Sequence, residues 1–234
     1  MKPSRATWAS EPLNDSRLTR TLSLIGSFYD VCKAGYQGHE GYRKSTDLEK
    51  FADCVKELVA KGLIDPERTI FADLGCADGR VNVLMSYFVK QSIGIEIDPD
   101  ILAEYEPRKK ALLQRIAQAG LETPPDNICL FEGSSLAPSV YPGIYRETGV
   151  RFADVDLFYT YITLHEVFAE KIRQDAKEGA LYLVYGFHRV LPAYPGLELL
   201  IPDVGGQQIA SLFVKRSVDR CVGDGSGVAN QGDG

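Results

Sequence analysis

The chain has 234 residues, with 26 Lys and Arg against 32 Asp and Glu and a net charge of −6. Hydrophobic residues make up 44% and charged residues 25%, an ordinary globular balance that excludes collagen-like, coiled-coil and mostly disordered chains. The acidic excess argues against non-specific binding to nucleic acid or anionic membrane, which draws on clustered Lys and Arg, and no apolar run reaches the ~18–20 residues that cross a bilayer.

Residues 1–20 mix Pro, Ser, Asn and charge and read as a mobile arm without the apolar centre of a secretory signal. Residues 21–68 are expected to supply N-terminal helices and a Gly-rich loop packed on a core spanning 69–216. Leu22, Ile25, Phe28, Tyr29 and Cys32 recur at helical spacing. Gly35, Gly38 and Gly41 then break any helix over 34–45. Thr46 and Glu49 match a capping box ahead of an apolar stripe of Leu48, Phe51, Val55, Leu58 and Val59, with Gly62 as the stop.

From Ile70 onward strand and helix alternate. Ile70 to Leu74 reads as a buried strand, and Val81, Leu84, Met85 and Phe88 as an amphipathic helix. Ser92 to Ile97 is a second strand, and Pro99 opens a helix that Pro107 should kink or split before Gly120. Ile128 to Phe131 is a third strand. Two prolines and two glycines in 138–149 predict a short, irregular crossover. Val155 to Tyr161 is a fourth strand, followed by a helix on Leu164, Val167, Phe168 and Ile172 that Gly179 ends. Ala180 to Tyr185 is a fifth strand. Leu197 to Ile201 and Ile209 to Lys215 flank PDVGG as a hairpin. This alternation predicts an α/β fold: a Rossmann-like, mostly parallel seven-stranded sheet with a C-terminal antiparallel hairpin and helices on both faces. Residues 217–234, Gly-rich and aperiodic, read as a disordered tail.

The chemistry-bearing segment is Phe71-Ala-Asp-Leu-Gly-Cys-Ala-Asp-Gly-Arg80, where a strand runs into a helix through Gly75, Ala77 and Gly79. Small residues let backbone approach a ligand, and a helix start offers free N–H groups. In open α/β sheets ligands bind outside the carboxyl ends of the strands. The nicotinamide-dinucleotide fingerprint G-x-G-x-x-G fails here, since Ala77 and Arg80 take the places of its second and third glycines. Asp73 would moreover repel a pyrophosphate and suits a ligand that carries a cation. Glu96 ends the second strand about 20 residues beyond Gly75, where a carboxylate can accept from both ribose hydroxyls. Cys129-Leu-Phe-Glu-Gly-Ser134 ends a third strand in small polar residues fit to border an adenine ring.

DLGCADGR, GIEIDPD and FEGSS, in that order and spacing, resemble motifs I, II and III of the class I S-adenosylmethionine (SAM) dependent methyltransferases. The resemblance covers roughly residues 69–215. It implies that SAM is the cofactor and S-adenosylhomocysteine the product, with Asp73, Gly75, Cys76, Ala77 and Gly79 around the methionine end. It implies Glu96 on the ribose, Ile97 against adenine, and Ser134 and Ser135 near the adenine amine. The GIEIDPD form and the short last crossover resemble, within the class, lysine methyltransferases that are not SET proteins. An amine acceptor, on a protein lysine or a small molecule, would follow. The chain departs from the pattern at Ala77, at Ser134 in place of an acid, and at Tyr159-Thr-Tyr-Ile-Thr163, where nucleobase and glutamine-amide enzymes carry Asn/Asp-Pro-Pro-Tyr.

Tyr161, His165, Glu166 and His188 are candidates for the transfer site, because they follow the fourth and fifth strands. Each has an ordinary alternative in packing or capping. Tyr36, His39 and Tyr42, among glycines just ahead of the core, are candidates for a lid or for contact with substrate; a plain connector is the other reading. Asp98 before Pro99 reads as a helix N-cap, and Asp156 as a structural strand-end residue. No set of carboxylates and His has metal-ligand spacing. Five scattered cysteines with no CxxC pair suit free thiols in a reducing cytoplasm. A non-catalytic SAM-fold binding or scaffold protein is the alternative function, and an NAD-dependent oxidoreductase a more distant one.

Overall fold

The computed structural model describes residues 16–32, 45–186 and 192–216. Its helices are α1 (Ser16–Asp30), α2 (Leu48–Ala60), α3 (Arg80–Met85), α4 (Pro99–Leu102), α5 (Tyr105–Gln118), α6 (Tyr141–Thr148) and α7 (His165–Asp175). Its strands are β1 (Ile70–Leu74), β2 (Gln91–Glu96), β3 (Ile128–Glu132), β4 (Leu157–Tyr161), β5 (Leu181–Tyr185), β6 (Leu197–Ile201) and β7 (Ala210–Lys215). They form one sheet in the order β3-β2-β1-β4-β5-β7-β6. β3, β2, β1, β4 and β5 are parallel, and β7 runs antiparallel to β5 and to β6. The fold is therefore the expected one, hairpin included.

Period-2 alternation sorts the strand residues to two faces. Phe71, Leu157, Tyr159, Leu183, Tyr185 and Leu212 pack with α1, α2, α3 and α5. Ala72, Leu74, Ile93, Phe158, Tyr182, Val184 and Phe213 pack with α6 and α7. Burying a side chain such as Phe51 or Phe158 contributes about 1.5–3 kcal/mol, so both helical layers are needed to cover a sheet this apolar.

Several elements depart from the sequence reading. α1 begins at Ser16, inside the segment assigned to a mobile arm. Asp47, not Thr46, caps α2: its side chain accepts from Lys50 N, while Thr46 Oγ1 is bonded 2.5 Å from the Tyr159 hydroxyl. α3 has only six residues, all buried, so it is a core segment and not an amphipathic surface helix. The crossover over 138–149 is not irregular but contains α6. Pro142 sits in its first turn, where no intrahelical N–H is needed, and Gly149 closes it at φ 71°. Leu164 and Val167 lie exposed, and α7 buries Phe168, Ala169 and Ile172 instead. The split near Pro107 occurs as expected, between α4 and α5.

Candidate functional site

β1 lies between β2 and β4, where the chain's crossovers diverge toward the two sheet edges, the position at which open α/β sheets hold a ligand beyond the carboxyl ends of their strands. Asp73 shares the α1/α2 face with Phe71 and is in register with Gly94 of β2 and Tyr159 of β4. The residue is 1% exposed, and its Oδ1 has no hydrogen-bond partner. Burial pushes its pKa well above the carboxylate range, and the nearby Glu96 and Asp78 carboxylates add to that.

After Leu74 the chain turns through Gly75 at φ 138°, Ala77 at φ 47° and Gly79 at φ 71°. A Cβ on Gly75 would meet nothing within 4 Å, so the loop borders open space there; one on Gly79 would come within 2.7 Å of Leu130 and Tyr105. Ala77 holds a left-handed conformation that costs a non-glycine residue roughly 1–2 kcal/mol. The surroundings hold it there: Ala77 N donates to Glu96 Oε2 at 2.9 Å, and Cys76 N donates to Ile95 O at 3.0 Å.

Glu96 is 3% exposed. Asp98 N donates to its Oε1 at 3.0 Å, so two backbone N–H groups orient its carboxylate. Its carbonyl accepts from Gly133 N at 2.8 Å. The Gly75–Gly79 loop, the end of β2 and the Gly133–Ser134 turn are thereby stitched side by side. Ile97 projects beside them, 63% exposed. Ser134 Oγ accepts from Leu136 N at 3.3 Å, and the buried Ser135 accepts at its carbonyl from the Tyr141 hydroxyl. Asp98 caps α4 by accepting from Asp100 N and Ile101 N, and Asp156 accepts from Ile70 N, both structural roles as expected.

A second constellation escaped the sequence reading. Asp78 is fully buried between two guanidiniums. Arg80 Nε and Nη2 donate to its two oxygens at 2.9 Å each, and Arg108 Nη1 donates at 2.9 Å. Arg80 also donates to the carbonyls of Tyr29 and Cys32 at the end of α1. The arginine therefore ties the glycine loop to α1. Its only sequence signal was an acid and a base flanking Gly79; Arg108 lies 30 positions from Asp78.

The sequence matches no family model and no curated protein. Solved structures with a similar course include an RNA methyltransferase from Salinibacter ruber in complex with S-adenosylhomocysteine. It is 14% identical over 71% of this chain and 93% of its own, with a TM-score of 0.42. A precorrin-6y C5,15-methyltransferase from Geobacter metallireducens is 16% identical over 71% and 73%, at 0.44. An rRNA methylase from Streptococcus thermophilus is 12% identical over 75% and 99%, at 0.42. The likeness is one of fold.

The candidates beyond β4 are not gathered at one point. Half-buried Tyr161 packs on Tyr185, with ring centroids 6.0 Å apart, on the α1/α2 face. His165 turns to the other face: its Nδ1 lies 2.7 Å from the Tyr194 hydroxyl, and its carbonyl accepts from the Tyr182 hydroxyl. Glu166 is exposed and lines a cavity of about 180 Å³ with Glu170 and Tyr194. His188, Tyr36, His39 and Tyr42 lie outside the described residues. Among the described residues no group of His, Cys, Asp and Glu is arranged to hold a metal ion, and no helix is long and apolar enough to cross a membrane.

Proposed function

We propose that this chain is a class I SAM-dependent methyltransferase whose cofactor site is built on the Gly75–Gly79 loop, Glu96 and the Gly133–Ser135 turn. One observation carries the reading: a buried carboxyl group whose Oδ1 has no hydrogen-bond partner, Asp73, stands at the root of a loop that borders open space at Gly75. Folding gains nothing from a carboxylate in that position. A ligand with an ammonium group supplies the missing partner, whereas a diphosphate would bring no cation to Asp73 and would meet the Glu96 carboxylate. Asp73 would hold the amino group of the methionine limb, and Glu96 the ribose. A carboxylate offers about four acceptor sites, enough for backbone donors and ribose hydroxyls together. Ile97 would cover one adenine face, with Cys76 and Ala77 beneath the ligand and Ser134 and Ser135 at its edge.

The cofactor would supply an electrophilic methyl group. The protein's task is then to align an acceptor in line with it. We infer an amine acceptor, on a protein lysine or a small molecule. The exposed Glu166 in the first turn of α7 supports that reading, since a carboxylate can take up the proton an ammonium must lose, and Tyr161 at the end of β4, whose phenol burial keeps protonated, can accept a hydrogen bond from the amine. Net charge does not decide the acceptor class, because α5 gathers Arg108, Lys109, Lys110 and Arg115 on a chain that is acidic overall. The free thiols of Cys32, Cys54, Cys76 and Cys129 suit a cytoplasmic enzyme.

Calorimetric titration with SAM tests the site. Asp73→Ala and Glu96→Ala should each weaken binding tenfold or more, about 1.4 kcal/mol; wild-type affinity in both variants would refute the assignment. Incubating the protein with methyl-labelled SAM and cell extract tests catalysis. Label on an amine of a protein or metabolite is expected, and SAM binding without any labelled acceptor would point to a binding protein instead.

A further inference from the structure

We infer that Asp73 holds a proton in the ligand-free protein and gives it up when the ligand's ammonium group arrives, so that cofactor binding exchanges a proton for a cation. The inference rests on the cofactor reading above and adds a proton to its stoichiometry. It starts from geometry. Asp73 is 1% exposed, and its Oδ1 finds no donor.

The groups facing it are of the wrong sign or already committed. From β2 comes Glu96, oriented by two backbone N–H groups. From the loop come Asp78, whose negative charge Arg80 and Arg108 balance, and the buried thiol of Cys76. From β4 comes Tyr159, whose hydroxyl is bonded to Thr46. Farther out on the same face are Tyr29 and Asp30 of α1, Cys54 of α2, Tyr105 of α5 and Tyr185 of β5. The two nearby arginines point their guanidiniums at Asp78 and at α1 carbonyls. An isolated carboxylate in such a site is costly, and the neutral acid is the form that fits.

An ammonium group reverses the balance, because the ion pair it forms favours the carboxylate. The Asp73 O–H bond then breaks and the proton passes to solvent. The ligand's N–H groups take its place, and the pocket gains no net charge. No oxidant or co-reactant is involved. Binding should therefore tighten as pH rises through the range in which the free protein keeps the proton, by about tenfold per pH unit.

Calorimetry of S-adenosylhomocysteine binding at a series of pH values from about 4.5 to 6.5, in buffers of different ionisation enthalpy, counts the protons. Those values lie below the α-amino range of about 7.7–8.0, so the ligand arrives charged. Release that rises toward one proton per ligand at the acid end of the series is expected. 5′-Methylthioadenosine, which has the nucleoside and thioether but no amino-acid limb, should bind with no release. Asp73→Asn should bind S-adenosylhomocysteine with no release and with affinity independent of pH over that range. Binding by the wild type without proton release, or equal release by Asp73→Asn, would overturn the inference and leave the cofactor reading intact. Absence of any binding by the wild type would overturn both. The methylthioadenosine comparison needs no variant, so it decides the matter even if Asp73→Asn fails to fold.

Discussion

Asp73 sits where packing alone would place an apolar residue. The sign of its cost can be worked out. In the unfolded chain an Asp titrates near pH 3.9. In the fold its pKa is raised by burial, with Glu96 and Asp78 adding to it. Between those two values the folded state holds the extra proton, so stability is full below about pH 4 and declines as pH rises toward the folded value. Asp73→Asn removes that slope. Thermal unfolding of the ligand-free variant should show a Tm equal to wild type near pH 4 and increasingly above it toward pH 7; a variant less stable at pH 7 would mean that the carboxylate is paired after all. The glycines of the loop separate in the same way. Gly79→Ala forces a Cβ to within 2.7 Å of Leu130 and Tyr105 at φ 71°, and should destabilise by about 1–3 kcal/mol. Gly75→Ala meets no atom, so its cost to stability is the backbone strain of φ 138° alone, and a larger share of its loss should fall on ligand affinity than for Gly79→Ala. A calorimetric affinity and a denaturation midpoint for each variant would check this.

At the scale of elements, the segment after the glycines of 34–45 is anchored by Thr46, which the sequence presents as a cap and the structure uses as a tether to β4. Thr46→Val would leave the buried Tyr159 hydroxyl without its partner, a loss of about 1–3 kcal/mol. Adding Tyr159→Phe should recover part of it, and a double-mutant cycle by urea denaturation measures the coupling; strict additivity would show that the 2.5 Å contact contributes nothing. The contrast shows what the sequence carries. β1 to β7 were legible because short apolar runs bounded by Gly, Pro and Asp have few other uses. Asp98 was legible because a cap is a local device. α6 was not, since Pro142 and Gly149 read as breakers until their places in the first turn and just past the last are known. The Arg80–Asp78–Arg108 cluster was illegible for another reason: its ligating carbonyls, Tyr29 and Cys32, and its second arginine arrive from distant segments. Tyr161 and His165 look like neighbours in sequence, yet the strand end sends them to opposite faces of the sheet.

For the molecule as a whole, the loop after β1 is where both helical layers and three strand ends meet. Asp73 lies on the α1/α2 face, Leu74 belongs to the α6/α7 cluster, Glu96 binds the loop from β2, and Arg80 carries the connection to α1. A ligand seated there touches parts of the chain that separate only when the domain unfolds, so its binding energy should appear in global stability. At a concentration 100 times Kd, a ligand specific for the folded state adds about 2.7 kcal/mol. For a chain of this length that corresponds to a Tm rise of roughly 5–10 °C. SAM should produce such a rise and NAD should not, because a diphosphate brings no cation to Asp73 and must face the buried carboxylate of Glu96. The rise should also be larger at pH 7 than at pH 5 at a fixed SAM concentration, since the proton on Asp73 competes with the ammonium more strongly in acid. Differential scanning fluorimetry with the two ligands at the two pH values is sufficient. An equal shift with NAD would refute the cofactor assignment, and a SAM shift that shrinks as pH rises would refute the role given to Asp73.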